Sequence, residues 1–154
     1  MHAHESLIHR FYTAFQKRDG AAMADCYHPD VRFSDPVFPD LHGKSAGGMW
    51  RMLCGKGTDL KIEFRDVQAD VHSGRAHWEA WYSFSATGRP VHNIIDATFE
   101  FRDGKIIRHV DQFSFHRWSG QALGTAGKLL GWTPLLRNKV RAMAAKNLKS
   151  FLAQ

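Results

Sequence analysis

The hydrophobic period changes once along the chain, near residue 60, and that change limits the folds open to it. Upstream, Leu7, Ile8, Phe11, Tyr12 and Phe15 recur at helical spacing and share one face. Asp19-Gly20 breaks this helix, and Asp19 can cap a second, short one bearing Met23, Cys26 and Tyr27. Val31 and Phe33 alternate in a short strand before Pro36. Residues 43–53 read as a third helix with Met49, Trp50 and Leu53 inward, weakened by Gly47-Gly48. Downstream the period is two. Leu60, Ile62 and Phe64 alternate, and Val67, Ala69 and Val71 resume out of phase, which predicts a bulge near Arg65-Asp66. Ser73-Gly74, Gly88-Arg89-Pro90 and Asp103-Gly104 then punctuate three further strands, the last two over 91–102 and 105–116. Helices followed by antiparallel hairpins predict an α+β domain over residues 1–118. A basic helical extension, 119–154, follows it.

Composition narrows the function classes. The 154 residues include eleven Phe and five Trp, enough for one domain with an aromatic core. No apolar run approaches the length of a membrane span. Met1-His2-Ala3-His4-Glu5 has no basic segment leading into an apolar one, so no secretory signal is expected. Cys26 and Cys54 fit reduced, buried residues, and a cytoplasmic location is the default expectation. All fifteen acids fall at or before Asp111, whereas residues 117–154 hold seven of the twenty-one basic residues and no acid. The fourteen remaining bases nearly balance the acids, so the net charge of +6 belongs to the tail. It does not point to a nucleic-acid partner. The ten histidines show no metal-ligand spacing, and there is no glycine-rich phosphate loop and no nucleophile motif, so no cofactor is expected.

Two aspartates sit in apolar runs, where a carboxylate must be paired, protonated or used as an acid or base. Asp35 follows Val31-Arg32-Phe33-Ser34 and precedes Pro36; Asp96 follows Ile94-Ile95. If Asp103-Gly104 closes a two-residue hairpin, Arg102 faces Lys105, Thr98 faces His109 and Asp96 faces Asp111. Facing carboxylates repel, so one of them should hold its proton unless His109 supplies a cation. Ile94, Phe113 and Phe115 would wall this cluster, as in a ligand pocket. Two plainer readings compete. Glu100, Thr98 and His92 share the face of Asp96, which could be a solvated side of the sheet, and a one-residue slip would dissolve the facing pair. Asp35-Pro36 could be an ordinary turn.

The order helix, helix, strand, helix, then antiparallel sheet resembles the NTF2-like superfamily, in its SnoaL-like and ketosteroid-isomerase-like branches. The resemblance rests on Leu7 to Phe15, on Tyr27-His28-Pro29-Asp30-Val31-Arg32-Phe33-Ser34-Asp35-Pro36, on His42-Gly43, on Gly88-Arg89-Pro90-Val91, and on residues 96–106. It covers about residues 5–116 and implies a cone, a curved sheet around a cavity with helices closing the mouth. By that resemblance Asp35 would be the general base and Asp96 a protonated oxyanion donor, while Asp111 matches the final-strand acid/base aspartate of SnoaL-like cyclases. The isomerase's first-helix tyrosine aligns with Phe11, with Tyr12 beside it.

The resulting expectation is a cofactor-independent isomerase or cyclase acting on an apolar carbonyl compound. Asp35, Asp96, Asp111 and His109 would carry the chemistry, and Phe11, Tyr12, Phe33, Trp50, Trp81 and Phe113 would line the site. The alternative is a non-catalytic module that binds a lipid-like ligand or dimerises, and a homodimer is expected from the resemblance. In the tail, Leu136, Val140, Met143, Asn147 and Phe151 fall near one stripe of a helix crowded elsewhere by Arg137, Lys139, Arg141, Lys146 and Lys149. That stripe could dock on the body or a second subunit, or the helix could make a weak contact with an anionic membrane, helped by Leu129-Leu130-Gly131-Trp132.

Overall fold

The structure, a computed structural model, describes residues 1–56 and 58–154. Three helices and two strands lead into the main sheet: α1 (Ala3–Gln16), α2 (Gly20–Asp25), β1 (Tyr27–Ser34), β2 (Leu41–His42) and α3 (Lys44–Lys56). Four long strands follow, β3 (Lys61–Ala69), β4 (Ser73–Ser83), β5 (Pro90–Arg102) and β6 (Lys105–Gln112), then α4 (Phe115–Leu123), α5 (Thr125–Leu130) and α6 (Pro134–Leu152). The strands form one six-stranded sheet in the order β2-β1-β6-β5-β4-β3. It is curved and unclosed, as in an NTF2-like cone. Neighbours pair antiparallel except β1 and β6, which run parallel.

Local sequence accounts for most of these elements. The Asp19 carboxylate accepts from the Ala22 amide and starts α2; Ser114 and Thr133 cap α4 and α6 in the same way. α1 buries Leu7, Ile8, Phe11, Tyr12 and Phe15 against the concave side of the sheet. Gly47 and Gly48, which weaken α3 by propensity, permit close packing: a Cβ at Gly47 would crowd Ala24 of α2, and one at Gly48 would overlap Leu152 of α6. β3 slips register between Arg65 and Gln68, with Asp66 at positive φ, at the place where the alternation of apolar residues breaks.

A second slip corrects the expected pairing of the last hairpin. Arg102 faces Lys105 and Phe101 faces Ile106, as a direct two-residue turn requires, but Glu100 already faces Arg108. Ile107 is the extra residue. Beyond it Phe99 faces His109, Ala97 faces Asp111, and Asp96 faces Gln112. One inserted residue reverses the faces that follow it: His109 and Asp111 turn into the core, while Asp96 stays on the outer face with its side chain 77% exposed. The facing Asp96–Asp111 pair therefore does not form. Tyr27, expected in the second helix, opens β1 instead.

The last three helices cover the open side of the sheet. α4 and α5 pack closely enough that a Cβ on Gly127 would overlap the Ser119 carbonyl. α6 returns across α3 and buries Val140 and Leu148, with Ala144 and Phe151 against the main core. Leu148 belongs to this docking stripe, whereas Met143 and Asn147 face a cavity. No helix among the described residues is long and apolar enough to cross a membrane. Because the clash at Gly127 is with backbone, Gly127→Ala should lower stability by about 1–3 kcal/mol, read as a fall in the denaturant midpoint at constant slope.

Candidate functional site

A cavity of about 260 Å³ opens between the concave face of the sheet, α3 and α6. Its walls are mainly apolar, with Phe15, Phe38, Trp50, Ala80, Ile95 and Val140 among them. Asp111 and Asn93 are buried among these residues. Leu53, Lys56, Ser83, Ser85, Ala86, Met143 and Asn147, all more exposed, form the rim.

A chain of hydrogen bonds fixes the floor. The Trp50 indole N–H donates to the Tyr27 hydroxyl at 2.7 Å, which lies 2.8 Å from His109 Nδ1. His109 Nε2 lies 2.9 Å from Asp111 Oδ1, and the Trp78 indole N–H donates to the same oxygen at 3.2 Å. One assignment satisfies every member: Tyr27 O–H donates to Nδ1, and a neutral imidazole donates Nε2–H to the carboxylate. Burial pushes the Tyr27 phenol well above its ordinary value, so it stays a hydroxyl donor. The His109 ring, fully buried, is boxed by Phe11, Phe33, Phe99 and Trp50 with ring centres 4.4 to 6.0 Å away. Asp111 Oδ1 is thus committed to two donors.

Asp35 approaches the same volume from the end of β1. Its Oδ1 accepts the amides of Val37 and Phe38 at 2.7 and 2.6 Å, and its own N–H donates to the Phe38 carbonyl. The turn and the cavity wall are one structure, so the two readings of Asp35-Pro36 describe the same residue. Burial raises its carboxyl from 3.8 to about 7, against the two turn amides that pull it down, with the charge of Asp111 adding to the rise and that of Arg141 on α6 opposing it. Arg141 is held nearby, its Nε donating to the Pro36 carbonyl at 2.8 Å.

Two donors face the cavity with no acceptor among the described residues. The Asn93 carboxamide, 7% exposed, has no side-chain hydrogen bond. The Tyr82 hydroxyl accepts the Trp118 indole N–H at 2.8 Å and keeps its own hydrogen free. Sequence reasoning missed Tyr27, Asn93 and Tyr82; the odd-numbered alternation of Val91, Asn93, Ile95, Ala97 and Phe99 is the signal that places Asn93 inward.

The anticipated residues divide by face. Asp35, Asp111, Trp50 and Phe113 line the cavity. His109, Phe11 and Phe33 lie beneath its floor, and Tyr12 packs on Phe64 and Trp78 with a buried hydroxyl that finds no partner among the described residues. Asp96 and Trp81 stand on the outer face. There Asp96 and Glu79 bracket His77, each 2.9 Å from one ring nitrogen, while Trp81 stacks on His92 at 4.5 Å. Trp81 cannot touch a cavity ligand, because it alternates with inward Ala80 and Tyr82 on β4. Among the described residues no group of three or more His, Cys, Asp or Glu is placed to hold a metal ion.

The family model for the SnoaL-like domain matches residues 8–109, about two-thirds of the chain. The protein belongs to the SnoaL-like family. No curated protein matches it. Among solved structures it is similar to a candidate polyketide cyclase from Xanthomonas campestris pv. campestris, at 21% identity over 75% of this chain and 93% of that one, with a TM-score of 0.63. A Catenulispora acidiphila protein with a ketosteroid isomerase-like fold, in complex with trimethylamine, shares 12% identity over 83% and 97%, TM-score 0.67. An LEH-like epoxide hydrolase of M. tuberculosis shares 17% over 81% and 92%, TM-score 0.61. At these identities the likeness shows the fold.

The raised carboxyl makes a prediction that needs no substrate. The folded chain holds the Asp35 proton more tightly than the unfolded chain, so the resulting stabilisation is complete below about pH 4 and is lost as pH rises through about 7. Asp35→Asn keeps the side-chain acceptor of the turn but cannot ionise. Relative to the parent it should gain about 1–3 kcal/mol between pH 5 and pH 8, seen as converging or crossing denaturation midpoints. Parallel pH profiles would place the Asp35 carboxyl in an ordinary, water-exposed setting.

Proposed function

We propose that the protein is a cofactor-independent proton-transfer enzyme, an isomerase or cyclase, acting on an apolar carbonyl compound. The observation that carries this reading is the pair of carboxyls, Asp35 and Asp111, facing one small apolar cavity in different hydrogen-bonding environments. A general base works best with a pKa near the operating pH, and burial brings Asp35 to about 7.

The chemistry follows from the placement of the groups. The substrate's apolar body fills the cavity, and its carbonyl oxygen takes the free hydrogens of Asn93 and Tyr82. Asp35 removes a proton from the adjacent carbon. The bonding pair of that C–H moves into the enolate, and its growing negative charge falls on the oxygen held by the two donors. Asp35, now carrying that proton, returns it at another carbon for isomerisation or to the new alkoxide oxygen for ring closure, while the free oxygen of Asp111 faces the same volume and accepts a hydrogen bond from a substrate hydroxyl. His109, Tyr27 and Trp78 act as positioning residues that hold Asp111 at one angle. Low dielectric strengthens each of these interactions.

Solvent exchange gives a test independent of the natural substrate. Apolar cyclic ketones and 1,3-diketones incubated with the protein in D2O should take up deuterium at the carbon next to the carbonyl, measured by mass spectrometry. The rate should rise through about pH 7 as Asp35 ionises. Asp35→Asn should lower it on the order of 10²- to 10⁴-fold, and Asn93→Leu by about tenfold or more, with ligand affinity less affected. A panel that binds, shown by a thermal shift lost on Ala80→Trp, yet never exchanges would make the protein a binding module.

A further inference from the structure

The elbow between α5 and α6 exposes a cluster of large apolar side chains that none of the described residues covers. Leu129 is 66% exposed, Leu130 49%, Trp132 72% and Leu135 80%, within seven consecutive residues. Small residues cause this presentation. Gly127 and Gly131 lie so close to α4 that a Cβ on either would overlap Ser119, which directs the bulky side chains of the elbow away from the body. The Trp132 indole N–H donates to the Leu129 carbonyl at 3.0 Å, tying the tip of the elbow to α5.

Basic side chains lie on the flank of this patch. Arg89, Arg117, His116 and Lys128 line a shallow depression on the flank of α4 and α5. Arg89 and Arg117 are steadied there by backbone carbonyls, of Gln121 at 2.8 Å and of His92 at 2.6 Å. Among the described residues, none of the seven basic residues from Arg117 onward forms an ion pair with a carboxylate. Beyond Leu135 the apolar stripe of α6 is already spent on the body through Val140, Ala144 and Leu148.

We infer that the α5–α6 elbow is a docking surface for an anionic lipid bilayer. Leu129, Leu130, Trp132 and Leu135 enter the interfacial zone while Lys128, Arg117, Arg89 and the exposed lysines of α6 meet the anionic headgroups. An aromatic tip, aliphatic neighbours and a basic flank are the combination that an interfacial bilayer rewards. A second copy of the chain fits less well, because a two-fold interface would set this basic flank against itself. A polyanion such as DNA would satisfy the charges and leave four large apolar side chains in water. The inference stands apart from the reading of the cavity, which uses none of these residues except through the fold.

Co-sedimentation of the full chain with vesicles tests it. Binding is expected to phosphatidylcholine vesicles containing about 30% phosphatidylglycerol, and to weaken at least tenfold between about 50 and 500 mM salt. Pure phosphatidylcholine should retain about tenfold less. Trp132→Ser with Leu130→Ser should reduce binding about tenfold or more, and Lys128→Gln with Lys139→Gln should cut it severalfold. All four side chains are exposed, so unchanged melting curves are expected and exclude misfolding. No binding to the anionic vesicles at low salt overturns the inference, as does binding indifferent to Trp132 and Leu130. A concentration-dependent dimer in sedimentation velocity that those same serine substitutions abolish assigns the patch to a second copy instead.

Discussion

The buried chain Trp50–Tyr27–His109–Asp111 is the interaction on which the arrangement of this molecule turns. Its members come from α3, β1 and β6, and Trp78 of β4 closes it from the far side. β1 meets β6 in parallel, so this junction lacks a connecting hairpin and is held by side chains as well as by its ladder. A polar chain in a low-dielectric interior stabilises only if every donor and acceptor is matched. Here each is matched in one direction, from indole to phenol to imidazole to carboxylate. The same matching points Asp111 at the cavity, so the device that fixes α3 against the sheet also prepares the candidate site.

The cavity exists because the concave face is not filled. Ala80 lies where a larger side chain would reach across, and the rings of Trp50, Trp78 and Phe15 stand around the gap rather than in it. α6 then supplies the last wall, through Val140, Met143, Ala144 and Asn147, and Arg141 reaches the turn that shapes Asp35. The C-terminal extension is in this sense part of the site. Changes in α6 would alter the volume and polarity of the cavity mouth without touching the carboxyls.

The outer face of the sheet carries a different chemistry. Two carboxylates flank His77, one of them shared with His92, in a network of exposed and half-exposed groups. These hydrogen bonds raise the His77 imidazole against its desolvation and lower Glu79. Surface networks of this kind contribute little to stability. They account for an aspartate following two isoleucines: Asp96 is paired on the surface, on the outer face it shares with Ile94, while Ile95 and Ala97 on either side of it point inward.

Much of this was legible from residue order. The change of period near residue 60, the Asp19 cap, the break at Arg65-Asp66 and the Asp103-Gly104 turn are local signals, and local backbone preference determines them. Asp35 was legible as a candidate because a carboxylate inside an apolar run must be paired, protonated or used, although Asp-Pro by itself reads as an ordinary turn. The charged tail was legible by counting. What sequence alone could not decide was the parity of β6. Ile107 is an unremarkable β-branched residue, and nothing local distinguishes an inserted residue from a paired one; the choice is made by which register buries His109 among four aromatic rings and completes its two hydrogen bonds. That tertiary preference parts Asp111 from Asp96 and joins it through His109 to Tyr27 inside the core. Tertiary packing likewise decides that α6 covers the mouth and that the α5–α6 elbow is left apolar and bare.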